Sequence, residues 1–338
     1  MQSPDSEYDA LLIVSFGGPE GMDEVMPFLE NVLRQRNVPP ARMREVAGHY
    51  ELFGGVSPIN AQNRKLIAAL SEELAVNGPH LPIYWGNRNW HPLLEDTVRK
   101  MRDDGIKHAL AFVTSAYSSY SSCRQYLENI VSARGAAGPT TPRIDKIRAF
   151  YNHPLFIESN VDNLKLAFAE VPESRRLSAQ IAFTAHSIPQ SMAENCEYEA
   201  QLRESCSLIA ESLRNEWRLV YQSRSGPPTQ PWLGPDICDY LKQLKECGGT
   251  DVVVAPIGFV SDHMEIAYDL DTQVRQLCKE TKMNMVRAAT VGTHPLFIKM
   301  IRELILERIN PNVARRFVGT RGPSNDLCPA DCCQRPGI

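Results

Sequence analysis

Apolar runs of strand length alternate along this chain with amphipathic stretches of helix length, and that order admits few folds. The runs lie at Ala10–Phe16, Leu81–Trp85, Ala109–Thr114, Gln180–Ala185, Arg218–Gln222 and Asp251–Ile257. Helical patterns fall between and after them, at Met22–Arg34, Asn60–Leu74, Leu93–Asp103, Asn160–Ala169, Tyr198–Trp217, Pro235–Glu246, His263–Glu280 and His294–Ile309. Strand and helix in strict alternation predict an α/β fold with a largely parallel sheet. The pattern also echoes itself. His153-Pro-Leu-Phe-Ile157 returns as His294-Pro-Leu-Phe-Ile298, each time after a short strand and at the start of a helix. Proline at a first helical position accounts for part of this by local capping alone. Two similar α/β halves account for it equally well. At roughly 150 residues per domain, 338 residues make two domains. The expected division is 1–151, 152–318 and a Gly-, Pro- and Cys-rich tail over 319–338.

Composition narrows the function. Lys and Arg number 36 against 40 Asp and Glu, a net charge of −4. A chain built to grip nucleic acid carries a basic surplus, so that class is disfavoured. No run of apolar residues is long enough to span a membrane. The acidic start, Met1-Gln-Ser-Pro-Asp-Ser-Glu-Tyr-Asp9, has no apolar segment of the kind a secretory signal needs. The expected compartment is the cytoplasm, where nine cysteines read as thiols or metal ligands rather than disulfides.

Parallel sheets bind ligands beyond the carboxyl ends of their strands, so those ends are read first. The first ends in Phe16-Gly17-Gly18-Pro19, without the full G-x-G-x-x-G or a Walker lysine. The glycines are expected to let a flat ligand approach the backbone. The strand from Gln180 delivers His186, placed to act as base or metal ligand; a lone histidine there is as readily a satisfied structural one. The strand from Asp251 delivers Asp262, His263 and Glu265, followed by Asp269. On a helix starting near Asp262, Glu265 and Asp269 lie one turn apart on a common face. Asp262 suits a helix N-cap, which explains it without function. Together these nitrogen and oxygen donors suit a divalent first-row metal. The remaining strand ends carry aromatic and small polar residues, in Trp85–His91, Thr114–Tyr120 and Gln222–Gly234. They predict a pocket for a large planar molecule with polar margins.

Five segments, in order, resemble the signature segments of ferrochelatases: Ser15-Phe-Gly-Gly-Pro-Glu20, Gly54-Gly-Val-Ser-Pro-Ile59, Thr184-Ala-His-Ser-Ile-Pro189, Pro231-Trp-Leu-Gly-Pro235 and Pro256-Ile-Gly-Phe-Val-Ser-Asp-His-Met-Glu265. The similarity runs from Tyr8 to about Ile309. Phe28-Leu-Glu-Asn-Val32 and Gly86-Asn-Arg-Asn-Trp90 resemble the actinobacterial-type enzymes, which act on coproporphyrin III. The resemblance implies two Rossmann-like, chelatase-type domains around a porphyrin cleft, and insertion of ferrous iron in haem biosynthesis. Coproporphyrin III is the implied substrate. Protoporphyrin IX, a different tetrapyrrole and a carrier that binds porphyrin without catalysis are the alternatives. By position His186 and Glu265 match the family's metal-site pair, and His186 would accept pyrrole protons or hand over the iron. Asp262, His263 and Asp269 would stand behind Glu265. Ser57 and Tyr126 match porphyrin-contacting residues, with Phe16, Arg34 and His49 as further substrate contacts. Three positions depart from the family pattern. Phe16 stands where some members have a metal-ligating Tyr, His49 where some have Arg, and Gln273 where some continue the acidic ladder.

The tail carries Cys328, Cys332 and Cys333 in a segment too irregular to bury them as core. Three thiolates so close repel one another unless a cation neutralises them. Zinc is one such cation, although its sites usually pair ligands as C-x₂₋₄-C twice. The resemblance implies a 2Fe-2S cluster, with Cys123 as the ligand from the first domain. Cys196, Cys206, Cys238, Cys247 and Cys278 lie mostly on helical patterns and are expected to be inert thiols.

Overall fold

The structure is a computed structural model and describes residues 8–34, 38–226, 229–329 and 331–334. Eight strands form two parallel four-stranded sheets. The first contains β1 (Ala10–Ser15), β2 (Ile83–Asn87), β3 (His108–Val113) and β4 (Arg143–Lys146), in the order β2-β1-β3-β4. The second contains β5 (Gln180–His186), β6 (Trp217–Gln222), β7 (Asp251–Ala255) and β8 (Asn284–Arg287), in the order β6-β5-β7-β8. The two orders are the same, so the halves share one topology.

Alternation along each strand sorts its side chains into layers. Leu11 and Ile13 of β1 face inward and share one core with Ile181 and Phe183 of β5. Ala10, Leu12 and Val14 face outward, against α4 (Leu94–Asp103) and α5 (Gln125–Ala136). On the second sheet Ala182, Val220, Val252 and Val254 face outward. They are covered by α9 (Ile237–Glu246), a π-helical segment (Ile266–Val274) and α10 (Arg275–Glu280). Between the sheets lie α3 (Ile59–Asn77), α6 (Pro154–Ala169), α8 (Tyr198–Glu211) and α11 (Pro295–Ile309). Phe112, Phe150, Phe156 and Phe297 meet at their centre, with Phe112 stacked on Phe150 at 5.2 Å.

The repeated His-Pro-Leu-Phe-Ile is both cap and echo. His153 and His294 each accept a hydrogen bond from the leucine N–H two residues on, at 3.3 Å. The helices they open, α6 and α11, follow β4 and β8, the equivalent last strands of the two sheets. They pack against each other, and α11 reaches back to the first half. Glu307 pairs with buried Arg148 at 2.8 Å, and Arg308 with Tyr8 and Asp145.

Several elements differ from the expected ones. The helix from Tyr198 stops at Glu211 rather than Trp217, because Arg214 turns left-handed (φ 62) and the chain re-enters the sheet. α6 begins at Pro154, not Asn160. The helix expected over His263–Glu280 begins at Met264 and is π-wound from Ile266 to Val274. α1 (Met22–Leu33) matches its pattern, and β4 and β8 are the short strands expected before His153 and His294, but α2 (Pro40–Glu51) and α5 were not expected. α2 buries only Ala47 and Tyr50, and β4 reads Arg-Ile-Asp-Lys, so neither shows a clean apolar period. Among the described residues no helix is long and apolar enough to cross a membrane.

Candidate active site

Three contacts join segments of the first half to segments that follow β5 and β7. The Asp262 N–H donates to Gln62 Oε1 at 2.8 Å, and Ser121 Oγ to Met192 Sδ at 3.9 Å. His49 of α2 stacks on Tyr268 of the π-helical segment, 3.6 Å between centroids and 13° between planes. The candidate site is therefore sought between the halves, since parallel sheets take ligands beyond the carboxyl ends of their strands.

His186 ends β5, and its backbone carbonyl accepts from Tyr198 Oη at 3.1 Å. Its Nδ1 lies 3.2 Å from Glu265 Oε2. Both side chains stay partly open to the cleft, at 31% and 42%. Burial would raise the Glu265 carboxyl, but the charge and hydrogen bond of His186 outweigh it and hold the group at about 2. The two residues expected to form a metal-site pair do meet. Behind them, Gln222 Nε2 donates to the Glu265 carbonyl at 3.0 Å. Ser223, left-handed at φ 60, donates a short hydrogen bond to Asp269. Left-handed backbone in a non-glycine residue is uncommon, and here it turns Oγ onto that carboxylate. Burial, with the Glu265 charge adding to it, pushes Asp269 up to about 6 against the Ser223 hydrogen bond. The π-winding that carries Asp269 is itself a feature found mostly at functional sites.

Two expected supporting residues do other work. Asp262 does not cap the helix or stand behind Glu265. Its carboxylate pairs with Arg287 of β8 at 3.0 Å and accepts from Thr290 at 3.1 Å. His263 is the cap: its Nδ1 accepts the Glu265 N–H at 3.1 Å, and its half-buried ring lies edge-on to Phe259. Of the expected acids, Asp269 alone adjoins Glu265.

The first half supplies a different wall. Phe16 is 36% exposed, edge-on to Phe28, with the Arg88 guanidinium 5.7 Å from its centroid. The same guanidinium covers Tyr126 at 4.5 Å and donates to Asn129 at 2.7 Å. Tyr126 is buried in the outer core below it. Ser57 is buried beneath the Gly17-Gly18 turn, and Arg34 is exposed at the end of α1. The glycines answer to protein rather than to a flat ligand. A Cβ on Gly17 (φ 82) would stand 2.8 Å from the Asn87 Cβ, and one on Gly18 2.6 Å from the Ser57 Cβ. Arg88, Tyr268, Gln222 and Ser223 were not singled out from sequence. All except Tyr268 sit at or just beyond a strand end, and Tyr268 lies three residues beyond Glu265.

The tail thiols gather with Cys123. Cys123 sits in a π-helical segment, Tyr120–Arg124, where neighbouring Cys328 and burial push its thiol up. Cys332 and Cys333 lie 3.5 Å apart, Sγ to Sγ. Cys333 is buried, so the tail does bury one of its thiols. Backbone bonds lead the tail there: Val318 N to Asn152 O at 2.9 Å, and Thr320 N to Glu204 Oε1 at 2.8 Å. Among the described residues no three His, Cys, Asp or Glu side chains converge on a single metal ion. Of the remaining cysteines, Cys206 and Cys278 are buried as expected, whereas Cys247 is exposed.

The family model for ferrochelatases matches residues 8–309. The chain belongs to the ferrochelatase family. It is 54% identical over 328 residues to a ferrochelatase of Rhodopirellula baltica, covering 96% of this chain and 93% of that one. It is 50% identical to a coproporphyrin III ferrochelatase of Streptomyces griseus, again over 96% and 93%. Among solved structures, SirB from Bacillus subtilis with Fe3+ superposes with a TM-score of 0.53 at 14% identity, covering 92% of this chain and all of that one. That likeness bears on the fold alone. Family membership makes the chain an enzyme, a porphyrin metal chelatase of haem biosynthesis that inserts ferrous iron, and sets aside the carrier reading.

Proposed function

We propose that the porphyrin is coproporphyrin III and the product its iron complex. One observation carries this reading. The two segments that mark the coproporphyrin-type enzymes pack together beside Phe16, with Phe28 edge-on to Trp90 at 6.2 Å and Asn31 donating to the Asn89 carbonyl at 3.3 Å. Relatives named coproporphyrin III ferrochelatases support it. The first half would grip the macrocycle with Phe16, Arg88 and, through His49, the His49–Tyr268 stack. Ser57, Tyr126 and Arg34 would bear on it from farther out.

The chemical difficulty is a rigid ring whose inner N–H protons block the metal. Contacts remote from the centre can supply the energy that bends it. With Nδ1 donating to Glu265, the basic atom of a neutral His186 is Nε2, which would accept a pyrrole proton. Glu265, ionised at neutral pH, would stabilise the imidazolium and meet the incoming iron. Ser223 and Asp269 would take the proton onward. Cys123, Cys328, Cys332 and Cys333 would hold a 2Fe-2S cluster, which when bound ties the tail covalently to the first half. The unpaired state of all nine cysteines fits a reducing cytoplasm. The test is anaerobic iron insertion into coproporphyrin III and protoporphyrin IX side by side. At least tenfold higher kcat/KM for coproporphyrin III is expected; equal or reversed rates overturn the substrate assignment.

A further inference from the structure

The His186–Glu265 contact joins the end of β5 to a helix start that lies beyond β7, and a buried side chain holds each partner from behind. Alternation along β5 and β6 puts His186 with Ala182, and Gln222 with Val220, on the outer face of the second sheet. Gln222 lies directly beside His186 in the parallel register. Its main-chain carbonyl accepts the Ser187 N–H at 2.8 Å, and its side-chain Nε2 donates to the Glu265 carbonyl at 3.0 Å. One residue is thus bonded to the chain at both members of the pair. Glu265 is also where the winding passes into the π-helical segment. Tyr198 acts on the other member: from α8 its hydroxyl donates to the His186 carbonyl at 3.1 Å. Gln222 is 1% exposed and Tyr198 4%.

Packing alone does not call for an amide at position 222. The core of this face is built of apolar side chains such as Val220, Val252 and Val254. Gln222 keeps its Oε1 buried without a partner among the described residues, and a polar atom buried in that way is costly. What the amide supplies is its Nε2. The bond to the Glu265 carbonyl is its shortest; Ser223 Oγ and Asp269 Oδ2 lie farther off, at 3.4 and 3.5 Å. The imidazole and carboxylate stay partly open to the cleft, so their meeting depends on where the two main chains are held. We propose that Gln222 and Tyr198 are positioning residues, a two-point clamp that fixes the main chain of Glu265 and of His186 so that Oε2 and Nδ1 meet at 3.2 Å. This inference rests on the reading of His186 and Glu265 as the acid–base pair. Reacting groups displaced by about 1 Å through a change away from the chemistry can lose about 10²-fold in rate.

The test measures anaerobic iron insertion by the full chain as wild type and as Gln222→Met, Gln222→Leu, Tyr198→Phe and His186→Ala. The porphyrin is whichever of coproporphyrin III and protoporphyrin IX the wild type turns over faster. Gln222→Met and Gln222→Leu remove the donor and keep the bulk, and Tyr198→Phe removes the hydroxyl alone. The kcat should fall about ten- to hundredfold in the Gln222 variants and about two- to tenfold in Tyr198→Phe. The KM for porphyrin, and its binding read by absorbance, should stay within about twofold of wild type, the mark of an interaction that acts on the chemical step rather than on binding. Thermal unfolding shows which variants are folded. Tyr198→Phe, the smallest change, carries the test where a Gln222 variant folds poorly. An unchanged kcat in a folded Gln222 variant or in Tyr198→Phe, or a KM that rises as far as kcat falls, overturns this inference alone. Near-normal turnover in His186→Ala overturns the reading of the pair and this inference with it.

Discussion

Each half of the molecule presents the carboxyl ends of a four-stranded sheet in the same order, yet the two sets of ends are furnished differently. Beyond β1 and β2 lie Phe16, Arg88 and Trp90, aromatic and cationic groups with no acid–base pair among them. Beyond β5, β6 and β7 lie His186, Ser223, Glu265 and Asp269, joined by hydrogen bonds. The topology dictates where ligands go, and the residue at each strand end dictates what happens there. One half can grip a flat molecule while the other moves protons at its centre. The sharpest attack on this division is His186→Ala. General-base help is typically worth about 10²- to 10⁴-fold, so turnover should fall by that much. Porphyrin binding, read by absorbance, should persist, because the gripping wall is intact. Near-normal turnover, or loss of binding, would merge the two roles and break the comparison.

A smaller effect separates the two acids on the chemical side. Glu265 is held at about 2, below its unfolded value near 4. It contributes stability at neutral pH that is lost as pH falls toward 2. Asp269 is pushed the other way, up to about 6. The folded chain keeps a proton there that the unfolded chain has released, so stability is lost as pH rises from about 4 to about 6. Asp269→Asn removes that loss. Urea unfolding should show a gain of about 1 kcal/mol at pH 8 and almost none at pH 4, discounted for the group's partial exposure. Iron insertion should slow at the same time. A stability gain that ignores pH would mean that Asp269 is not held as its surroundings require.

The sequence made the central strands plain because β1, β3, β5 and β7 are buried on both faces and read as unbroken apolar runs. It made His186 and Glu265 plain because both follow such runs. What it hid lies on the edges. β4 and β8 are short, and their charged residues mask the period. Arg287 of β8 is the partner that claims Asp262, and a short strand expected before His294 does not by itself name that partner, so Asp262 stayed free to be read as a cap or a supporting acid. Ser223 was hidden differently: its left-handed backbone turns Oγ onto Asp269, and no sequence period announces a single residue at φ 60. His263, at the start of its helix, works through an imidazole cap of the kind His153 and His294 already display. That repeated motif was the available signal.

The least effect, and the finest test of the division, concerns the contact that spans it. His49 belongs to the gripping half and Tyr268 to the helix that carries Asp269, and their rings lie 3.6 Å apart. Burial, then the nearby Arg42 charge, lowers the His49 imidazolium below its ordinary range. His49 is therefore neutral at pH 7 and offers a propionate no ionic pairing. Its contribution is the stack, worth about 0.5–1.5 kcal/mol for such a pair. His49→Ala should raise KM for coproporphyrin about two- to tenfold and leave kcat almost unchanged. His49→Arg sacrifices the flat stack but restores a permanent cation able to meet a carboxylate bidentately, so its KM should fall below that of the Ala variant. Steady-state kinetics on the three chains decide the matter. If kcat falls with His49→Ala as steeply as with His186→Ala, the stack is transmitting strain to the acid–base pair, and gripping and chemistry are not divided between the halves.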